Sequence, residues 1–412
     1  MRRYLAMLLL GLLVAGCAAQ PAKAPDPAPA PVSAPVSAPA PVSAPAPAPA
    51  EPPITPAQTP GPKLVLRIDP TTLTPDETVA DLTDDLNDAS GESPRFMLER
   101  LYERWYPSKW PAILEADLDG DGTSEVVTAM RMGGNNRPIT GAGALYIIYK
   151  KDGRWAVDRS PGDEVIGVFL QAVADVTGDG RPEIIWGSTN AGAHTVHYEY
   201  FVTQWQPGRL TQLPGDPIVM SYVEFALDGR DMVLKGGLIG SAGAGPQRTR
   251  TDRYRLVDGQ VRLVDRTFEP SNLGFYRLID GMVHERFGRA AEAQQAYREA
   301  MDPARPVVEE GMAKPEQAEH LPEAVRATAR MRLAWLLMKQ NRPAEVDELM
   351  RGASGPYADL LHTMSLSSSI PGACGFAASW AKAHPDFLDA LNGVFGYANE
   401  IWSAESLCGN GQ

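Results

Sequence analysis

The sequence predicts an α+β multidomain chain, with β units repeating over residues 110–269 and an α-helical repeat region over residues 270–412. Three observations predict it. An Asp/Gly frame at Asp117 returns at Asp175, 58 residues on. Short apolar, β-branched runs lie on both sides of each frame, as strands require. From Asn272 the apolar and small residues take up helical spacing instead.

The N-terminus reads as an export signal. Met1-Arg2-Arg3 is a short positive start, and Leu5 to Val14 is an apolar run too short for a stable bilayer span. It ends in Leu13-Val14-Ala15-Gly16-Cys17, which resembles a bacterial lipoprotein lipobox. The resemblance implies that residues 1–17 are a signal, that Cys17 is acylated, and that the lipid bilayer is a partner. Several acyl chains make a stable anchor, since each buried methylene contributes about 0.8 kcal/mol. Ala18 after the cysteine, by the same resemblance, favours the outer membrane of a Gram-negative type envelope.

Residues 18–63 are predicted to be a linker. From Pro21 to Pro62 the chain is mostly Pro, Ala, Ser and Val. Frequent prolines remove backbone donors and fix φ, which excludes helix and sheet. Such a chain favours polyproline II at about 3.1 Å per residue, a semi-rigid stalk with a reach on the order of 100 Å.

Residues 64–109 are expected to be helical. Thr74-Pro75-Asp76-Glu77 starts a helix, with Thr as N-cap, Pro in the first turn and acids at the positive dipole end. A second helix is expected from about Pro94 to Tyr106, with Phe96, Met97, Leu101 and Trp105 on its packed face.

The most informative stretch follows. Asp117, Asp119, Asp121 and Glu125 occupy positions 1, 3, 5 and 9 of a loop with Gly120 and Gly122 at 4 and 6. Hard cations such as Ca²⁺ take six to eight oxygens, which alternating acids on a tight loop can supply. The second frame carries Asp175, Asp179 and Glu183, with Thr177 at position 3. An EF-hand needs a chelating Glu at position 12 and flanking helices. Thr128 and Trp186 stand there instead, and strands flank both loops. Asp-Gly pairs also suit plain hairpin corners, but four close carboxylates without a cation would repel one another.

The pattern apolar-Ala-Asp-x-x-Gly-Asp-Gly-x-x-Glu resembles the FG-GAP or VCBS-type repeat of integrin α chains. The resemblance implies β-propeller-like blades with structural Ca²⁺. It assigns Asp117, Asp119, Asp121 and Glu125 as side-chain ligands, with Thr123 offering its carbonyl at position 7. In the second copy it assigns Asp175, Thr177, Asp179, Arg181 and Glu183 to the same places. Thr177 departs from the usual acid or amide, so the first site should be the tighter. A third frame around Asp228-Gly229-Arg230-Asp231 has lost the acidic ladder and reads as a metal-free corner. Asp152-Gly153 and Asp258-Gly259 read as hairpin turns. About three blade-like units result, short of the four to eight of a closed propeller, so a partial ring is expected.

Gly281, Gly288, Ala293, Tyr297 and Ala300 resemble the small and bulky positions of a tetratricopeptide repeat, and Leu333 to Met350 is a weaker second copy. Helices are expected to complete the stack at about Tyr357 to Leu366 and Gly375 to Leu407. Cys374 and Cys408 are a disulfide candidate in an oxidising compartment, worth about 3 kcal/mol if closed; two free thiols are the alternative.

The formal net charge of −13 and the lack of a basic stripe with aromatics argue against nucleic acid as a partner. No Gly-x-Ser-x-Gly, His-Glu-x-x-His or phosphate-cradling loop occurs, and no histidine has a visible nucleophile in register. Gly240-Ser-Ala-Gly-Ala-Gly lacks the Lys of a P-loop and reads as a mobile loop. The expected role is therefore not enzymatic: a lipid-anchored, extracytoplasmic lipoprotein with an envelope protein partner. The alternatives are a carbohydrate or cell-wall binder using exposed Trp186, Tyr198, Tyr200 and Trp205, and a hydrolase with an unrecognised site.

Overall fold

The computed structural model describes residues 73–408 apart from 89–90, 106–112, 133–141, 161–164, 193, 366 and 368. Cys17, the lipobox and the Pro/Ala-rich segment lie outside the described residues. The protein is α+β, and its antiparallel sheets do not close into a barrel among the described residues.

Two helices come first, α1 (Pro75–Asp88) and α2 (Pro94–Trp105). The start of α1 is the expected one: the Thr74 hydroxyl accepts from the Glu77 N–H, and Glu77 accepts from the Thr74 N–H in return. The packed face of α2 differs from the expected one. Met97, Leu98, Leu101 and Tyr102 are buried, whereas Phe96 is 46% exposed. At 100° per residue, the stripe through Leu98 and Leu101 turns Phe96 outward.

Among the described residues fourteen strands form three sheets. Sheet one orders β1 (Ile113–Ala116), β2 (Glu125–Met132), β3 (Ala142–Lys151) and β4 (Arg154–Arg159), with β5 (Val165–Ile166) on β3. Sheet two contains β6 (Phe169–Ala174), β7 (Glu183–Ala191), β8 (Val196–Gln206) and β10 (Ile218–Ser221), with β9 (Arg209–Gln212) on β8. Sheet three runs β11 (Glu224–Asp228), β12 (Asp231–Gly236), β13 (Arg250–Val257) and β14 (Gln260–Phe268). The two expected Asp-Gly turns are present, with positive φ at Asp152, Gly153, Asp258 and Gly259, the geometry that a two-residue hairpin of this type demands.

Period-two alternation stacks the sheets. Val126, Met130, Tyr146 and Ile148 face α1 and α2, where they pack on Leu82, Leu86 and Leu98. Their neighbours Val127, Ala129, Leu145 and Ile147 face the other way, onto Leu170, Ile184, Trp186 and Trp205 of sheet two. The far face of sheet two presents Phe169, Ile185, Tyr200 and Val202 to Met232, Leu234 and Tyr254 of sheet three. Each buried aliphatic or aromatic side chain in these layers contributes about 1.5–3 kcal/mol.

Among the described residues seven helices follow: α3 (Gly274–Arg286), α4 (Ala290–Met301), α5 (Leu321–Lys339), α6 (Pro343–Arg351), α7 (Ala358–Ser365), α8 (Ile370–Ala383) and α9 (Pro385–Leu391). They share a core of their own around Phe275, Tyr297, Leu333, Trp335 and Phe387. Gly281 lets α3 meet α4, since a Cβ there would overlap the Tyr297 ring. Gly288 does a different job from the close packing expected of it. It lies in open space at φ +72° and makes the turn between the two helices.

The described residues belong to one compact unit. Arg248 is a bolt between sheet three and α3. It lies over the rings of Phe268 and Tyr276, at 4.7 and 4.4 Å, and donates to Asp280 at 2.8 Å. The glycine-rich loop is not a free loop: Gly240 donates to Thr195 Oγ1, while Gly243 and Ala244 accept from the N–H groups of Tyr397 and Ala398. Among the described residues no helix is long and apolar enough to cross a membrane.

Candidate metal centre

The first acidic corner joins β1 to β2, strand to strand, as the spacing requires. Its backbone is shaped by its own side chains. Asp117 accepts from the N–H groups of Gly120 and Gly122, at 2.8 and 2.9 Å. Asp119 accepts from Asp121, and Asp121 from Thr123. Gly120 and Gly122 take φ of +81° and +87°, a region that L side chains adopt only under strain.

The corner brings ligand atoms of Asp117, Asp119 and Glu125 within 4.8 Å of one another. Asp121 and Thr123 lie on the exposed side of the loop, and Asp121 is not part of that group. Glu125 is 3% exposed and accepts from the Leu118 N–H at 2.8 Å. Burial raises its carboxyl, the Leu118 N–H lowers it, and the charges of Asp119, Asp121 and Asp117 raise it again, so that it is pushed up to about 7. The donor set is hard oxygen throughout, which fits Ca²⁺ or Mg²⁺ and not a thiophilic metal.

The second corner joins β6 to β7 and repeats the backbone. Asp175 accepts from Gly178 and Gly180, and Glu183 accepts from the N–H groups of Val176 and Thr177. Its chemistry differs. Gln204 donates to the remaining Glu183 oxygen at 3.1 Å. Arg181 donates to Asp179 from both its backbone and its guanidinium, and these bonds, the backbone one first, hold Asp179 below the usual carboxylate range. Thr177 bonds to Asp175 rather than opening outward. No acidic trio gathers here among the described residues.

The third corner, between β11 and β12, has replaced the acidic ladder with ion pairs. Arg255 clasps Asp231 through two bonds of 2.6 and 2.7 Å, and Arg253 bridges Asp231 and Asp228. The Arg255 bonds, then those of Arg253, keep the Asp231 carboxyl depressed.

Arg181, expected at a ligand position of the second loop, and Arg230 of the third frame connect the corners, a role that sequence reasoning did not give them. The Arg181 stem lies 3.7 Å from where a Gly120 side chain would begin, and the Arg230 guanidinium fills the space that a Gly178 side chain would occupy. Each therefore reaches from its own corner onto position 4 of the preceding one. The signal was present as Gly180-Arg181 and Gly229-Arg230, where the first corner has Gly122-Thr123.

Three aromatics expected on the surface are inside. Trp186, Tyr200 and Trp205 are 6, 3 and 3% exposed, and Tyr198 stacks edge-on against Phe169. Their alternation points Trp186, Tyr200 and Trp205 into the sheet interfaces. His197 does have a hydroxyl in register: its Nδ1 lies 2.9 Å from Ser221 Oγ, its direct partner across β8 and β10. Among the described residues no carboxylate hydrogen-bonds that imidazole. Cys374 is disulfide-bonded, and α8, which carries it, packs on the 3₁₀ turn Ser406–Cys408. The Cys408 side chain lies outside the described residues.

No family model, curated protein or solved structure matches this chain.

Proposed function

We propose that the chain is a membrane-anchored extracytoplasmic lipoprotein with structural calcium. Its β region and helical repeats would serve as a protein-binding or envelope-scaffold module. The convergence of Asp117, Asp119 and Glu125 in a strand-to-strand corner carries the reading. Three face-to-face antiparallel sheets whose corners touch support an open arc of propeller-like blades. The α3–α4 hairpin, closed by Gly281 against Tyr297, supports kinship with tetratricopeptide helices. Both architectures present broad surfaces to macromolecular partners. The disulfide at Cys374 fits an oxidising compartment.

Calcium here fixes loop shape and stabilises by binding the folded state alone. At a hundred times its dissociation constant it adds about 2.7 kcal/mol, a rise of roughly 3–5 °C in melting temperature for a chain of this size. Asp119→Ala should remove that rise and Thr177→Ala should leave most of it. No shift on adding calcium to chelator-treated wild type would refute the metal assignment. Radiolabelled palmitate incorporation, lost in Cys17→Ser, tests the anchor, and crosslinking in intact cells identifies the envelope partner.

A further inference from the structure

The three corners form a series in which guanidinium groups increasingly pair with the acids. The first has Asp117, Asp119, Asp121 and Glu125, with no guanidinium bonded to any of them among the described residues. The second has Asp175, Asp179 and Glu183, and it receives two guanidinium groups. Arg181 is paired to Asp179 at 3.3 Å, and Arg230 lies against Gly178, whose N–H Asp175 accepts. The third has Asp228 and Asp231, both bonded by Arg253, with Arg255 clasping Asp231 as well.

We infer that Arg181 and Arg230 confine calcium to the first corner, so that the chain carries one ion although its sequence repeats the loop twice. The inference rests on the calcium reading above. Guanidinium stays protonated at any pH a protein survives, so these two cations are permanent. Calcium affinity follows the number of ligand charges. The second corner has lost one carboxylate to Thr177, has a second engaged by Arg181, and has a third, Glu183, occupied by Gln204 and two backbone N–H groups. Arg230 adds a fixed positive charge beside what remains. The same side chains tie neighbouring corners together.

Calorimetric titration of the full chain in detergent with calcium chloride tests this by stoichiometry. Wild type should bind one ion, Asp119→Ala none, and the double variant Arg181→Gln/Arg230→Gln two. Arg181→Lys/Arg230→Lys keeps both charges and should stay at one. Two ions of similar affinity in wild type would overturn the inference while leaving the calcium reading intact. So would retention of the ion in Asp119→Ala, or a second ion in the lysine variant. Zero ions in wild type would sink the calcium reading itself. A count that stays at one in a folded Arg181→Gln/Arg230→Gln variant would overturn it as well, and two ions in wild type overturn it even if that variant does not fold.

Discussion

Glu285 offers the sharpest test of what holds the helical region together. Its carboxylate accepts from Arg332 and Tyr297 at 2.9 Å each and from Lys339 at 2.8 Å. Arg332 is 4% exposed and also donates to the Leu407 carbonyl, which ties the C-terminal turn to α5. Burial alone would raise the Glu285 carboxyl, but Arg332 and Lys339 outweigh it and hold the group below its ordinary range. Glu285→Gln keeps the shape and removes the charge. It leaves the Arg332 guanidinium buried without a counter-charge, which costs about 3–5 kcal/mol. The half-exposed Lys339 adds at most about 1 kcal/mol. A loss of about 3 kcal/mol is expected, at the low end because Gln still accepts one hydrogen bond. Denaturant unfolding followed by tryptophan fluorescence reads it out. Replacing the pair together, as Glu285→Gln/Arg332→Met, should recover most of the loss, since an apolar side chain removes the stranded charge. The pH dependence has a definite sign. Because the folded carboxyl titrates below the unfolded one, its contribution is complete above about 4.5 and disappears as pH falls through the folded value. A loss under 1 kcal/mol, or an unchanged acid limb in Glu285→Gln, would refute this account.

Three further outcomes follow from the same geometry. Gly281→Ala would drive a methyl into the Tyr297 ring and should cost about 1–3 kcal/mol by thermal unfolding, with little change for Gly288→Asn in its open left-handed turn. Burial, then the charge of Arg289, lowers the His284 imidazole below 6.5, so the native state binds fewer protons than the unfolded chain. Stability should be complete above that value and fall as pH drops through it, and His284→Gln should flatten the slope between pH 5 and 7. Peptide mapping without reductant should recover Cys374 joined to Cys408, and reduction should cost about 3 kcal/mol; a Cys374–Cys17 peptide would contradict the expected pairing.

Much of the architecture was legible in local signals. Thr74 with Glu77 and the Asp-Gly pairs at 152 and 258 each act within a few residues, and the structure has them where the sequence put them. The period-two runs identified strands, although they could not say which neighbour each face would meet. Both carboxylate corners were visible too, because their acids are close in the chain. Thr177 marked the second corner as different, but the distant partners that set the two corners apart were not visible. Gln204 comes to Glu183 from β8, and Arg230 comes to Gly178 from a corner some fifty residues later.

The aromatics and the arginines make the same point from opposite sides. Composition marks Trp186, Tyr200 and Trp205 as chemistry-bearing, yet sheet stacking turns them into core. Arg248, Arg230 and Arg332 look like ordinary surface cations in the sequence. In the fold they lock sheet three to α3, cap the second corner and anchor the C-terminus. The sequence by itself determined the elements, the turn chemistry and the acidic frames, because hydrogen-bonding and φ/ψ preferences act over a few residues. Only the tertiary structure decided which charges are neutralised and which faces are buried, because those depend on side chains brought together from tens of residues apart.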